Sequence, residues 1–156
     1  MQVHLCAVGR LRRGPERSLV DDYTARFNRA GRTLGLGPLN EHEIEDRRGG
    51  GIEAEAALLR RSCPDRALRV ALDERGNQIS SPALAERLAE WRDRGEAATA
   101  FFIGGADGLA PGLREEAAMS LSLGPMVWPH MLVRVMLAEQ LYRAATILSG
   151  TPYHRH

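Results

Sequence analysis

The chain has only two cysteines, Cys6 and Cys63, in 156 residues. Their number and separation give neither a disulfide framework nor a zinc-binding spacing, so both are expected to be free thiols in a reducing compartment, with Cys6 in a strand core. No uncharged run is long enough to cross a bilayer, which argues against a membrane partner. The start, Met1-Gln2-Val3-His4-Leu5, has no charged leader and no long apolar stretch, and a cytoplasmic location is expected. A strong charge of either sign is also missing: the net charge is +1. A near-neutral total does not announce a nucleic-acid binder, although it can hide a basic patch. Lysine is absent, so arginine supplies all 21 basic side chains of the Lys and Arg class; arginine suits bidentate contact with phosphate or carboxylate. There is no phosphate-binding P-loop, no His-Glu-x-x-His and no Ser-His-Asp spacing, so no metal and no hydrolytic chemistry is expected.

What is present is an alternation of strand-like and helix-like segments. Val3 to Val8 is a short apolar strand, and Leu19, Tyr23 and Phe27 mark one face of a helix over residues 15–30. A strand near 39–45, a glycine-rich polar loop at 46–51 and a helix over 52–63 follow. Residues 67–72 read as a strand and 73–78 as a turn. Ser81-Pro82 opens a helix carrying Leu84, Leu88 and Trp91, with Ser81 as its cap. A strand over 97–103, a helix over 111–119, a short strand marked by Leu121 and Leu123, and a long helix over 131–149 complete the chain. This pattern predicts one α/β domain over residues 1–156, with a mainly parallel sheet covered by helices on both faces.

Three features carry chemistry. The strand Phe101-Phe102-Ile103 ends in Gly104-Gly105-Ala106-Asp107-Gly108. A glycine turn at a strand's C-terminal end either brings backbone close to a nucleotide-like ligand or simply needs positive φ. It is not the dinucleotide pattern Gly-x-Gly-x-x-Gly, and no acidic residue sits where a ribose would need it. The last helix is apolar almost all round, so it needs cover on more than one side, which a partner subunit would provide. On it, Glu139 and Arg143 are spaced to pair, while Arg134 lies on another face and either snorkels to solvent or serves a site. The tail Tyr153-His154-Arg155-His156 carries residue types that stack on bases and contact phosphate. His4 reads as a core histidine and His42 as an exposed one. Asp73 and Glu74 stand where α/β sites form.

Ala7-Val8-Gly9-Arg10, Leu72-Asp73-x-x-Gly76, Phe102-Ile103-Gly104-Gly105-x-x-Gly108-Leu109, Leu121-Ser122-Leu123, Pro129-His130, Val133-Arg134-Val135, Glu139 to Ala144 and Pro152-Tyr153-His154-Arg155 occur in this order. Together they resemble the RlmH family of bacterial large-subunit rRNA pseudouridine methyltransferases, in the SPOUT superfamily. The resemblance covers essentially the whole chain. It implies an α/β fold with a C-terminal trefoil knot, a rare exception to ordinary topology, and a homodimer packed through its last helices. It also implies S-adenosyl-L-methionine as cofactor, held bent in the knot, and methylation at N3 of pseudouridine 1915 of 23S rRNA within the assembled 70S ribosome.

Carried over by position, the resemblance implies that Leu72, Gly104, Gly105 and the loop Pro125, Met126, Val127, Trp128, Pro129 and His130 bind the cofactor. Arg134 and Arg143 would supply positive potential, and Tyr153 and His154 would close over the base from one subunit onto the other's cofactor. The chain departs from many relatives at Gly124-Pro125, where they carry a serine and then a lysine or small residue; proline brings no N–H donor. Arg12, Arg13, Arg47 and Arg48 are candidate phosphate contacts. The alternatives are a SPOUT enzyme for another RNA such as tRNA, a non-catalytic ribosome-binding factor, and a flavodoxin-like nucleotide binder.

Overall fold

The computed structural model describes residues 1–155; His156, one of the tail residues singled out above, lies outside them. The elements run β1 (Gln2–Val8), α1 (Pro15–Gly31), a 3-10 turn (Arg32–Leu34), β2 (Leu39–Ile44), α2 (Gly51–Arg61), β3 (Leu68–Asn77), α3 (Ser81–Asp93), β4 (Ala98–Ile103), α4 (Pro111–Glu116), β5 (Met119–Leu121) and α5 (His130–Ser149). The five strands form one sheet in the order β2-β1-β4-β3-β5, and every pairing is parallel.

The two faces of the sheet follow the period-two rule for strands. Val3, Leu5 and Ala7 of β1, with Phe101 and Ile103 of β4, pack against Phe27 of α1, Leu88 and Trp91 of α3, and Leu137 and Leu141 of α5. Cys6 and Val8, with Ala100 and Phe102, pack against Ala56 and Leu59 of α2 and Leu113 of α4. A sheet buried on both faces explains why β1 and β4 read as continuous apolar runs. Each fully buried Phe, Leu or Val contributes on the order of 1.5–3 kcal/mol relative to exposure. Cys6 and Cys63 are free, as expected, and both are buried in that second core. A hydrogen bond between the two thiols pushes Cys6 up, helped by burial, and draws Cys63 down to about 7.

Four boundaries differ from expectation. β3 does not stop at Leu72 but continues to Asn77, because its ladder to β5 breaks and resumes: Leu72 and Asn77 both pair with Leu121. The residues between form a bulge. β5 is Met119–Leu121 rather than a strand reaching Leu123, and α4 correspondingly ends at Glu116. The cap of α3 is Ser80, whose hydroxyl accepts from the Ala83 N–H at 3.2 Å. Ser81 instead donates to Gln140 Oε1 at 2.7 Å, tying α3 to α5.

Candidate active site

Strands β3, β4 and β5 end on the same side of the sheet, and α5 begins there. Their termini enclose a cavity of about 390 Å³ lined by Leu72 to Arg75, Ile103 to Leu109, Leu121, Leu123, Gly124, Met126 to Trp128, His130 and Val133. Ligands of open parallel sheets sit outside the carboxyl ends of the strands.

The glycine turn forms one wall, and its backbone shows the positive φ that the sequence suggested. Gly105 and Gly108 bridge, and the Gly108 N–H donates to the Gly105 carbonyl at 3.1 Å. Gly108 needs its positive φ of 76°. Gly104 needs its missing side chain, since a Cβ there would stand 2.4 Å from the Gly108 backbone. The β3 bulge forms the opposite wall. The Asp73 carboxylate accepts from the Arg75 N–H at 2.9 Å and from its guanidinium, and pairs with Arg114 at 3.4 Å. Burial would raise the Asp73 pKa, but these arginine contacts outweigh it and hold the carboxyl below its ordinary range. Behind the glycine turn, burial first and then repulsion from Asp107 and Asp46 raise the Glu55 carboxyl.

The expected cofactor residues Leu72, Gly104, Gly105, Met126, Val127, Trp128 and His130 all line this cavity, whereas Pro125 and Pro129 stand outside its walls. The volume lies within the range of roughly 300–1,000 Å³ usual for small-molecule sites. Walls of Leu72, Ile103, Leu123, Val127 and Trp128 suit an adenine ring and an alkyl arm, and the glycine turn offers backbone groups that no side chain shields. A Cβ at Gly108 or Gly124 would meet nothing within 4 Å, so neither wall is closed by packing. These residues fit S-adenosylmethionine.

A larger cavity, about 510 Å³, lies across the Leu121–Gly124 segment. Its walls include Leu19, Tyr23, Ser81, Val135, Met136 and Glu139 and none of the expected cofactor residues. It is a groove between helices rather than a crevice at strand ends, and the smaller cavity is the better active-site candidate.

The four expected catalytic residues separate into two places. Arg134 neither snorkels nor offers free positive potential. It is 1% exposed. Its guanidinium donates to Glu43 Oε2 at 2.6 Å and to the Gly9 carbonyl at 2.9 Å, with longer contacts to Glu41 at 3.4 Å and to the Val8 carbonyl at 3.5 Å. The two glutamates balance its charge, so Arg134 fastens the first turns of α5 to the ends of β1 and β2. Arg17 joins the same network, 2.5 Å from Glu41.

Arg143, Tyr153 and His154 meet at the other end of α5. Arg143 donates to Glu139 Oε1 at 2.6 Å, lies 3.3 Å from His154 Nδ1 and covers the Tyr153 ring at 4.8 Å from its centroid. The Tyr153 hydroxyl donates to the same Glu139 oxygen at 3.0 Å. Burial and then the Glu139 carboxylate push the Tyr153 pKa up, so its phenol stays a proton donor. Glu139 is the hub that sequence reasoning missed: its i, i+4 spacing to Arg143 was visible, but its bond to Tyr153, fourteen residues on, was not. About thirteen residues of helix separate His130 from Arg143, roughly 20 Å at 1.5 Å per residue. One copy of the chain therefore holds the cavity and the tail cluster apart.

Residues 1–154 match a family model described as "Predicted SPOUT methyltransferase". The chain is 64% identical over 156 residues, all of both chains, to the ribosomal RNA large subunit methyltransferase H of Roseobacter denitrificans (strain ATCC 33942 / OCh 114). It is 63% identical over 155 residues, 99% of each, to the protein of that name from Ruegeria sp. (strain TM1040). Among solved structures, a probable methylase family protein from Haemophilus influenzae Rd KW20 shares the fold, with a TM-score of 0.52 at 14% identity over 99% of this chain and 70% of that one. A strand-end cavity with a glycine-turn wall and a full-length match to the family together identify the chain as a member of the SPOUT methyltransferase family.

Proposed function

We propose that this protein methylates N3 of pseudouridine 1915 of 23S rRNA in the assembled 70S ribosome, as a homodimer with S-adenosylmethionine as methyl donor. The observation that carries the reading is full-length identity of 63–64% to ribosomal RNA large subunit methyltransferases H, joined to a cavity lined by seven of the residues that the family resemblance implies for the cofactor.

Held by Leu72, the glycine turn and the Met126 to Trp128 loop, S-adenosylmethionine would supply an electrophilic methyl group on a sulfonium sulfur, with a neutral thioether as its leaving group. N3 must give up its proton before or during methyl transfer. Arg143, its charge largely balanced by Glu139, would favour the N3 anion through guanidinium N–H groups not used in that pair. Glu139 fixes Arg143 and Tyr153 through one oxygen, so both present a set geometry. Tyr153 remains protonated and acts as a donor, not as the base. His154, beside Arg143, is the residue of the cluster with a nitrogen able to take the proton. Orientation of this kind contributes up to about 7–11 kcal/mol in favourable cases.

The separation of roughly 20 Å along α5 supports assembly across a dimer, in which the tail cluster of one copy meets the cavity of the other. Apolar surface on and before α5 supports it too: Met126 is 68% and Val127 84% exposed, and Trp128, Met131 and Leu132 are exposed beside them. Such a patch marks an interaction surface. Threading of the C-terminal segment into a trefoil knot belongs to the same reading.

The test is nucleoside mass mapping of 23S rRNA from cells lacking the protein, with methyl incorporation into purified ribosomes and into tRNA by the purified enzyme. Loss of N3-methylpseudouridine in cells and its restoration in ribosomes are expected. Incorporation into tRNA alone would move the substrate, and a protein that takes up no S-adenosylmethionine would remove the enzymatic reading.

A further inference from the structure

Two loops run side by side at the C-terminal ends of β1 and β2, residues 9–14 and 45–50. The Gly9 N–H donates to the Ile44 carbonyl at 2.8 Å and joins their roots. Between them they carry Arg10, Arg12, Arg13, Arg47 and Arg48, all exposed. Among the described residues only Arg47 of these five has a carboxylate partner, Glu45 at 4.0 Å. Most guanidiniums elsewhere on the sheet and helices, such as Arg17, Arg60, Arg75 and Arg143, are ion-paired. Five exposed arginines, four of them without a carboxylate partner among the described residues, thus share one rim in a chain whose net charge is only +1, while other unpaired arginines such as Arg29, Arg32, Arg61 and Arg94 lie at the opposite end of the strands.

The loops are built to hold a shape. Leu11 is buried, and its N–H donates to Glu43 Oε2 at 2.6 Å. The same oxygen accepts from Arg134. With Leu11 pinned inward, Arg10, Arg12 and Arg13 on either side are left in solvent. Asp46 turns onto its own loop, accepting from the Arg48 and Gly50 N–H groups at 3.1 and 2.5 Å. The rim adjoins the cofactor cavity: a Cβ on Gly9 would lie 4.0 Å from His130 Nε2, which lines the cavity.

We propose that these two loops form a phosphate-binding rim that grips the backbone of the RNA strand carrying the methylated nucleotide; the inference rests on the rRNA reading above. Guanidinium forks match phosphate oxygens bidentately. Contacts to phosphate fix register without reading sequence, which is what a catalyst needs when it must seat one nucleotide against a cavity a short distance away. A modest total charge leaves binding dependent on a folded RNA that brings several phosphates to the rim at once.

The test is co-sedimentation with 70S ribosomes across a salt series, using the wild type and R12Q/R13Q/R47Q/R48Q, whose melting temperature is checked first. A control, R29Q/R32Q/R61Q/R94Q, removes four exposed arginines near helix C-termini, at the opposite end of the strands. Removing one arginine–phosphate pair flattens the slope of log affinity against log salt by about 0.7–0.9, so the slope of the rim variant should flatten by about 3 and that of the control should not change. A rim variant with the wild-type slope overturns the proposal. Weaker binding at an unchanged slope also overturns it, since that points to protein groups rather than phosphates. Wild-type protein that binds ribosomes without methylating them removes the rRNA methylation reading and leaves the rim standing. Wild-type protein that does not bind ribosomes overturns both.

Discussion

Replacing Arg134 with methionine keeps the aliphatic stem and removes the guanidinium. Its bonds to Glu43 at 2.6 Å, to Glu41 at 3.4 Å, and to the carbonyls of Gly9 and Val8 at 2.9 and 3.5 Å go with it. Breaking a buried ion pair from one side costs about 3–5 kcal/mol, because the other charge is left without its partner. Two features move this case to the low end. Glu41 keeps Arg17 at 2.5 Å, and Glu43 keeps the Leu11 N–H at 2.6 Å. The Arg134 Nε is itself buried without a partner, so its removal relieves one unsatisfied donor. The expected loss is therefore about 3 kcal/mol, a fall in Tm of roughly 6–12 °C for a domain of this size. Calorimetry at one fixed protein concentration measures it, since the proposed dimer would make stability depend on concentration. Because Arg134 holds the turn of α5 that follows His130, S-adenosylmethionine affinity should fall as well. R134K, with one ammonium in place of a fork, should recover part of the ion pair but not both carbonyl bonds. If R134M melts within about 2 °C of the wild type, by the scale of roughly 2–4 °C per kcal/mol, the fastening role assigned to this guanidinium is wrong.

A mixture of G105V and R143A proteins, each inactive alone, should regain roughly one quarter of wild-type activity after subunit exchange, since half the dimers then hold one intact composite site; no recovery would place cavity and tail in the same copy. G104A should bind no S-adenosylmethionine by calorimetry, because its methyl would stand 2.4 Å from the Gly108 backbone; wild-type affinity would show that the turn relaxes. Asp73 has its pKa depressed in the fold, so the stability it contributes is present above the unfolded value of about 3.9 and is lost as pH falls below it; urea titrations of D73N and wild type should converge in acid and diverge at neutral pH. Tyr153 holds its proton more tightly than an unfolded tyrosine, so its contribution is intact below about pH 10 and is lost above it; ultraviolet titration of the native protein should match that of Y153F through that pH.

Local chemistry made much of the scaffold readable. The apolar runs of β1 and β4, the proline at the start of α3 and the glycines at 104–108 each state their structure within a few residues. The walls of the strand-end cavity at Ile103 to Gly108 and Met126 to Trp128 are continuous segments, but only the glycine turn announces itself locally; the second segment was pointed to by the family resemblance alone. What escaped depends on distance along the chain. The partner of Arg134 is 91 residues away, and its helical position alone left the choice between solvent and site open. Glu139 resembled half of an ordinary surface pair until Tyr153 folded back onto it. The strand at Leu68 continues past Leu72 only because β5 resumes pairing at Asn77, a ladder that no local pattern encodes. Ser80 and Ser81 were exchanged because Gln140 claims one hydroxyl and leaves the other to cap.

The strand order has a consequence for biosynthesis. β3 lies between β4 and β5, and β1 lies between β2 and β4, so these two interior strands wait for neighbours translated later, while β4 joins two strands already made. Long-range parallel pairing of this kind is slow to form. The strand-end cavity is also lined by His130 and Val133, from the final helix. A nascent chain therefore completes this cavity only once its last helix has been made and has docked.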